Sequence, residues 1–311
     1  AEILVDSMVT GVFAGDSTKL SLAATFPKMH AMESEHGSLT RALIARMREA
    51  RRSGGSSAGP SGPGGTLHTF VEGMEQLPRR LAHRLGDRLR LSTAVRRLTR
   101  RDDAFVLETD GGDVRADKVL LTLPAAAAAS LLVELAPDAT APLGATPTVP
   151  IAVVMASYDR MDTFGTRVDG FGFLVPKAER AGILGTLFCH SIFPGQAPEG
   201  SLFLRTMLGG AREPGQAGLD DSSLVAAVRS AHSGIYGRDP EPSRVWIARW
   251  NEGISQYTVG HLDRVAAAES AARAAGVELA GSPYRGVSVN DCIKQARAAA
   301  QRLTQRGSPE L

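Results

Sequence analysis

The feature that most constrains this chain is an apolar strand followed by a glycine-containing loop and then by a helix. It reads ELAGSPYRGVSVNDCIKQARAAAQRL and occupies residues 278–303. Gly281 and Gly286 lie in the loop, and the helix is predicted to begin near residues 290–291. Glycines allow backbone to approach a ligand closely, and a helix N-terminus offers N–H groups that stabilise negative charge. The pattern predicts a ligand-binding turn, and it is equally compatible with a unit that binds nothing.

Composition narrows the class of protein. At 311 residues the chain suggests two domains, or one domain with large insertions. A net charge of +2 and an aromatic content of 5% do not support a nucleic-acid partner. Cys189 and Cys292 belong to no zinc or disulfide pattern, which favours a reducing, cytoplasmic compartment. No apolar run reaches the roughly 18 residues of a membrane-spanning helix.

The first 145 residues are predicted to contain three segments. Residues 1–52 have a helical pattern, and Ser38 is a candidate N-cap for an amphipathic helix with a basic face. Such a helix can face a membrane or a substrate cavity, although a solvated surface helix is the commoner case. Residues 53–65 contain only Ser, Gly, Ala and Pro and predict a flexible linker. Residues 66–145 alternate short strands and helices, with a turn at 110–112.

Residues 146–311 are predicted to form two further segments. Residues 146–268 contain longer β runs, interrupted by one helix at 222–237, and predict a mostly antiparallel substrate-binding domain. Residues 183–193 are predicted to form one of these strands. Residues 269–311 return to the strand, loop and helix described first, and are predicted to complete the domain begun at residue 66.

Six further sequence blocks accompany this segment in order along the chain. They read GVFAGDSTKLSLAATFP, GGTLHTFVEGMEQLPRRL, ADKVLLTLPAAAAASLL, GFGFLVPKAERAGILGTLF, TMLGG and QYTVGH. Together with LAGSPYRGVSVNDCIKQARAAA, they closely resemble the oxygen-dependent protoporphyrinogen oxidase family within the amine-oxidase-like flavoproteins. The resemblance implies an α/β fold with a partial, Rossmann-type FAD-binding domain, a mostly antiparallel β substrate domain and a small helical segment.

The resemblance also implies roles for particular positions. The residues that match positions along the cofactor FAD are Val95, Trp250, Gly281, Val287, Ser288 and Val289. Those that match positions lining the tetrapyrrole cavity are Gly11, Phe171, Leu174, Met207 and Ile254. Apolar walls suit a large flat substrate, yet Phe171, Leu174 and Met207 are by type equally compatible with an ordinary core.

The chemistry implied by the resemblance needs no side-chain acid, base or nucleophile. Hydride passes from a methylene bridge of protoporphyrinogen IX to the flavin, and dioxygen reoxidises the flavin. His190 and His261 are candidates by type only, because a lone histidine is more often a core or surface residue. No catalytic side chain is therefore assigned.

The sequence does not decide whether the protein makes a peripheral membrane contact or forms a homodimer.

Three alternative functions remain. The first is oxidation of coproporphyrinogen III on the same scaffold. The second is a binding or scaffold protein without cofactor, because the first half of the FAD site is absent from these residues. The third is a related amine oxidase of the same superfamily. The last would require an aromatic pair beside the flavin, of which the loop supplies only Tyr284.

The sequence departs from the implied family in two ways. It contains no GxGxxG fingerprint after a strand, so the pyrophosphate half of the FAD site and the arginine that anchors a propionate are expected before Ala1. Thr10 precedes Gly11 where a basic residue is expected, and Ser255 stands where a proline is expected.

We therefore expect residues 1–311 alone to bind FAD weakly or not at all, because half of the contacts are absent. Equilibrium dialysis of the purified 311-residue protein against FAD measures this. A tight, stoichiometric yellow complex would refute the expectation.

Overall fold

The computed structural model describes residues 3–53 and 67–305. The chain divides into two compact units, one formed by Ala1–Leu20 with Arg90–Leu311 and the other by Ser21–Leu89. The predicted linker lies outside the described residues except for Ser53, where a helix ends. The predicted domain boundaries after residues 145 and 268 stay a prediction.

Within the described residues the helices of four or more residues are α1 Leu4–Phe13, α2 Leu22–Thr25, α3 Pro27–His36, α4 Leu39–Ser53, α5 Gln76–Leu85, α6 Ala125–Leu132, α7 Pro137–Gly144, α8 Cys189–Ile192, α9 Asp221–Tyr236, α10 His261–Ala274 and α11 Val289–Gln305. The strands are β1 Val95–Arg101, β2 Ala104–Thr109, β3 Val114–Ala116, β4 Val119–Leu121, β5 Thr148–Tyr158, β6 Gly172–Leu174, β7 Gly185–Phe188, β8 Leu202–Gly209, β9 Arg244–Ser255 and β10 Val277–Leu279.

The largest sheet has five strands in the order β6-β7-β8-β5-β9, and every neighbouring pair is antiparallel. Side chains alternate between its two faces. One face is apolar and buried under α9, where Ala152 and Val154 of β5 pack with Leu224 and Val228 of the helix. This sheet confirms the prediction of a mostly antiparallel β region.

A second core joins distant parts of the chain. β4 and β10 pair in parallel, with Val119 opposite Val277 and Leu121 opposite Leu279. Both strands are buried against α6, α7 and α10. Residues before and after the five-stranded sheet therefore build one layer, as the predicted fold class requires. α10 crosses the predicted boundary at residue 268 and packs against α7.

Local sequence signals agree with the structure at several points. The Oγ of Ser38 accepts a hydrogen bond from the N–H of Arg41 at 3.1 Å, so Ser38 is the N-cap of α4. The turn predicted at 110–112 forms between β2 and β3, with the N–H of Gly112 donating to the carbonyl of Thr109 at 3.0 Å. In the described ranges, no helix has both the length and the apolar character needed to cross a membrane.

One predicted strand is shorter than expected. The β run predicted over 183–193 ends at Phe188, and Cys189–Ile192 form the short helix α8. The ring of His190 explains the turn, because its Nε2 lies 2.9 Å from the carbonyl oxygen of Val168 and its Nδ1 lies 3.3 Å from that of Phe203. These contacts replace the pairing that an extended strand would make.

His232 on α9 is buried beneath the five-stranded sheet. Its Nε2 lies 3.1 Å from the hydroxyl of Thr186 and 3.3 Å from that of Thr206, while its Nδ1 has no partner among the described residues. Burial lowers the pKa of His232 from 6.5 to about 4. The folded protein therefore holds this ring neutral over a pH range in which the unfolded chain protonates it.

We expect the free energy of unfolding to fall as pH drops from 6.5 towards 4, because only the unfolded state gains the proton of His232. The loss is at most roughly 3 kcal/mol. Urea unfolding between pH 4 and 8 measures it, and His232→Gln should flatten the curve. Some slope should remain, because burial also lowers the pKa of His261. An unchanged slope in His232→Gln, with exposed His83→Gln as the control, would contradict this account.

Candidate cofactor and substrate site

The loop at residues 280–288 connects β10 to α11, and two of its glycines have backbone that other residues avoid. Gly281 has φ +135° and Gly286 has φ +97°. A Cβ atom on Gly286 would lie 2.7 Å from the side chain of Asp291 in the first turn of α11. The glycine at this position is therefore required both by the backbone angle and by the close approach of the helix.

Gln295 of α11 fixes this loop from the helix side. Its Oε1 accepts a hydrogen bond from the N–H of Gly281 at 3.2 Å, and its Nε2 donates to the carbonyl of Arg285 at 2.7 Å. One amide side chain therefore holds two points of the loop against the helix.

Tyr257, which follows β9, fixes the loop from the other side. Its hydroxyl donates to the carbonyl of Ser282 at 2.5 Å and accepts from the N–H of Gly286 at 2.9 Å. Burial raises the pKa of this phenol, so it stays protonated and can donate. The ring stacks on His261, with centroids 4.0 Å apart.

His261 and Glu269 of α10 complete the support of the loop. The Nε2 of buried His261 lies 2.9 Å from the carbonyl of Tyr284. Glu269 accepts two hydrogen bonds from Arg285, both at 2.9 Å, and this pairing raises the pKa of the Arg285 guanidinium. His261 is thus a buried residue that supports the loop.

The first turn of α11 has the properties of an anion-facing helix end. Ser288 caps it, since its Oγ accepts from the N–H of Asp291 at 3.1 Å and donates to the carboxylate of Asp291 at 2.6 Å. The N–H groups of Val289 and Asn290 make no hydrogen bond to any other described residue. Reduction of a flavin places negative charge on its pyrimidine edge, so these amides and the glycine loop fit that edge of the ring.

Val95 lies apart from this loop, at the first position of β1. It lines a largely apolar cavity of ≈ 670 Å³ together with residues of β4 and α6. The predicted contact of Val95 with the adenine side of FAD stays a prediction. The residues of the glycine loop and of the first turn of α11 fit the flavin edge of FAD.

The face of the five-stranded sheet opposite α9 carries three of the predicted substrate residues. In the register, Leu174, Gly185, Met207 and Val153 stand in one row across four strands. Val149 pairs with Ile254, and Ile151 pairs with Trp250, on the same face. Leu174 is 40% exposed and Trp250 is 49% exposed. We call this surface the open sheet face; it is broad, apolar and only partly covered.

Helix α1 covers one end of the open sheet face. A Cβ atom on Gly11 would lie 2.7 Å from Cδ2 of Leu174, so glycine allows this close contact. The Nε2 of Gln256 donates to the carbonyl of Phe13 at 2.9 Å, and Arg212 pairs with Asp6 at 2.5 Å. Gly11, Leu174, Met207 and Ile254 are thus brought to one region, and their predicted contact with substrate stays a prediction.

Phe171 does not follow this arrangement. Its carbonyl accepts a hydrogen bond from the N–H of Phe188. By strand alternation, this pairing places Phe171 in register with the α9 face of the sheet and not with the open sheet face. Phe171 precedes β6 and is 61% exposed, next to glycines at 170 and 172 with φ +102° and +135°. Its predicted contact with substrate stays a prediction.

Sequence reasoning did not assign the residues that hold the loop, Tyr257, Glu269, Arg285, Asp291 and Gln295. One signal could have indicated two of them. Asp291 and Gln295 are four residues apart in α11, so they share one helix face.

Residues 1–304 match the family model of flavin containing amine oxidoreductases. The chain belongs to this family of flavoenzymes, and the predicted cofactor, FAD, is confirmed at that level. Among curated relatives, it is 30% identical over 97% of its length to the chloroplastic protoporphyrinogen oxidase of Oryza sativa subsp. japonica, of which it covers 60%. It is 29% identical over 96% of its length to the coproporphyrinogen III oxidase of Bacillus subtilis, of which it covers 63%.

A solved structure gives the same relationship. The putative protoporphyrinogen oxidase of Exiguobacterium sp. 255-15 superposes with a TM-score of 0.82 at 29% identity, over 98% of this chain and 64% of that one. Cyclohexylamine oxidase from Brevibacterium oxydans shares the fold, with a TM-score of 0.65 at 16% identity, over 97% of this chain and 63% of that one. The predicted fold class is confirmed. The chain spans about three fifths of the length of the relatives described here.

We expect Gly286→Ala to destabilise the protein by roughly 1–3 kcal/mol, because φ +97° and the contact with Asp291 both oppose a Cβ atom. Urea unfolding measures the loss, and hydrogen exchange should become faster at the amides of Asp291 and Cys292, which both bond to Ser288. The matched control is Gly234→Ala in α9, where a Cβ meets nothing within 4 Å. Equal stability of wild type and Gly286→Ala would show that the loop is not held as described.

Proposed function

We propose that the full-length protein oxidises protoporphyrinogen IX to protoporphyrin IX with FAD and dioxygen. The observation that carries the proposal is the connection between the open sheet face and the loop at 280–288. Tyr257 follows directly on the strand that bears Trp250 and Ile254, and its hydroxyl bonds to Ser282 and Gly286. An apolar wall and a flavin-edge loop thus belong to one rigidly bonded unit.

The residues of this chain would share the work of binding and positioning. Val287 to Val289 would lie along the pyrimidine edge of the flavin, with the first-turn amides of α11 facing its carbonyl oxygens. Bound FAD would accept hydride equivalents from the substrate and pass them to dioxygen, which yields hydrogen peroxide. Met207, Ile254 and Leu174 would hold a flat, apolar macrocycle and exclude water from it. Protons released from the substrate nitrogens would pass to water, since no acid or base lies among these residues.

Coproporphyrinogen III is the second candidate substrate, because relatives with both names align over nearly the whole chain. The two substrates differ in their number of carboxylates, and the apolar residues of the open sheet face do not distinguish them.

We also propose a cytoplasmic location with a peripheral membrane contact. The basic, amphipathic helix α4, with Leu43, Ile44 and Met47 exposed, supports that contact.

We expect the purified full-length protein, reconstituted with FAD, to convert protoporphyrinogen IX to a fluorescent porphyrin with about three molecules of hydrogen peroxide per porphyrin. Porphyrin fluorescence and a peroxide assay measure both products, and coproporphyrinogen III is assayed in parallel. A higher kcat/KM for coproporphyrinogen III would support the second candidate. Oxidation of neither substrate by the flavin-loaded protein would overturn the proposal, and turnover of primary amines instead would favour an amine oxidase.

A further inference from the structure

Arg205 stands out on the open sheet face because it is a charged residue among apolar ones. It lies on β8 between Phe203 and Met207, and strand alternation places all three on this face. Its cross-strand neighbours are Leu187 on β7 and Met155 on β5, both partly buried. Trp246 of β9 completes the row beyond Met155.

The guanidinium of Arg205 has no anionic partner within the part of the chain that the structure describes. The side chain is exposed, and it makes neither an ion pair nor a hydrogen bond to the described residues. Arg249, on the opposite face of the same sheet, behaves differently. It pairs with Asp221 at 2.6 Å and donates to the carbonyl of Leu219 at 2.8 Å. Arg205 therefore differs from Arg249 in having no partner among the described residues.

The surroundings of Arg205 define what could cover it. A flat apolar ligand on this face would remove water from the guanidinium, and an unpaired buried charge is costly. The cost disappears if the ligand brings its own anion. A planar guanidinium matches a carboxylate with two parallel hydrogen bonds. The face therefore suits a ligand that is apolar over most of its area and carries a carboxylate at one margin.

The strand register places Arg205 at the opposite end of the open sheet face from Trp250, which lies towards the cofactor loop. Arg205 stands opposite Met155, whereas Gly209 and Trp250 both stand opposite Ile151. The separation along the strand is four residues, roughly 14 Å. Met207 lies between the two ends. A macrocycle over Met207 would thus have one edge towards Trp250 and the opposite edge towards Arg205.

We propose that Arg205 binds a carboxylate of the porphyrinogen substrate and so orients the macrocycle on the open sheet face. This inference rests on the proposed function, and it adds a substrate-binding residue to it. Arg205 touches no reacting atom, so its role is in affinity and orientation. The edge-to-face pair of Phe203 and Trp246, with centroids 6.0 Å apart, borders the same end of the face.

The test compares full-length, FAD-loaded wild type with Arg205→Gln, using protoporphyrinogen IX and its dimethyl ester. Loss of a charged hydrogen-bonded pair should raise KM for the diacid by roughly 10-fold to 100-fold. KM for the ester should differ little between the two proteins, because it has no carboxylate to lose. kcat should change less than KM, and Arg205→Lys should restore part of the affinity.

Two variants serve as comparisons. Arg249→Gln removes one positive charge from the opposite face and should leave the diacid-to-ester ratio of KM unchanged. Arg244 is the alternative candidate for binding the carboxylate, because it stands opposite Ser157 in the strand register, at the far end of the open sheet face. If Arg244→Gln lowers diacid affinity and Arg205→Gln does not, the assignment to Arg205 is overturned.

Binding of the porphyrin product and its dimethyl ester, followed by fluorescence, separates this inference from the proposed function. Turnover by wild type with an unchanged diacid-to-ester ratio in Arg205→Gln would overturn the inference and leave the function standing. Binding without turnover, with a preference for the diacid that Arg205→Gln abolishes, would support the inference and overturn the function. No binding and no turnover in wild type would overturn both.

Discussion

The hydroxyl of Tyr257 joins the two parts of the molecule on which function depends. It bonds to Ser282 and Gly286 in the loop before α11, while its backbone continues the strand that carries Trp250 and Ile254. Its ring contacts His261 of α10 and Phe13 of α1. Because a buried hydroxyl that loses its partners is costly, strand, loop and helices keep one relative geometry. A cofactor edge and a substrate wall can then be positioned by a single side chain.

Most of the fold followed from local pattern, and the exceptions have physical causes. Long runs of β-forming residues predicted β5, β8 and β9, and helical sequence patterns predicted α9, α10 and α11. The strand predicted over 183–193 was wrong beyond Phe188, since the contacts of His190 with Val168 and Phe203 are made by residues distant in sequence. Periodicity carries no information about such contacts.

The site was predictable to a smaller extent. Resemblance indicated Gly11, Leu174, Met207 and Ile254, and sheet register brings them together. It did not indicate Arg205, because one arginine in an apolar strand is conspicuous only when strand pairing shows that no carboxylate faces it. Gln295 and Glu269 were likewise missed, because their roles are contacts with backbone or side chains brought near by folding. Every assigned contact with cofactor or substrate remains a prediction.

The parallel pairing of β4 with β10 has a consequence for the order of assembly. Leu121 and Leu279 face each other across a pair whose strands are separated in sequence by the whole five-stranded sheet. Contacts of such long range form late, because closing the intervening chain costs entropy before any pairing is gained. On the ribosome, β10 emerges only after every strand of that sheet has been translated. The cofactor loop can therefore acquire the shape described here only after the whole five-stranded sheet has been translated.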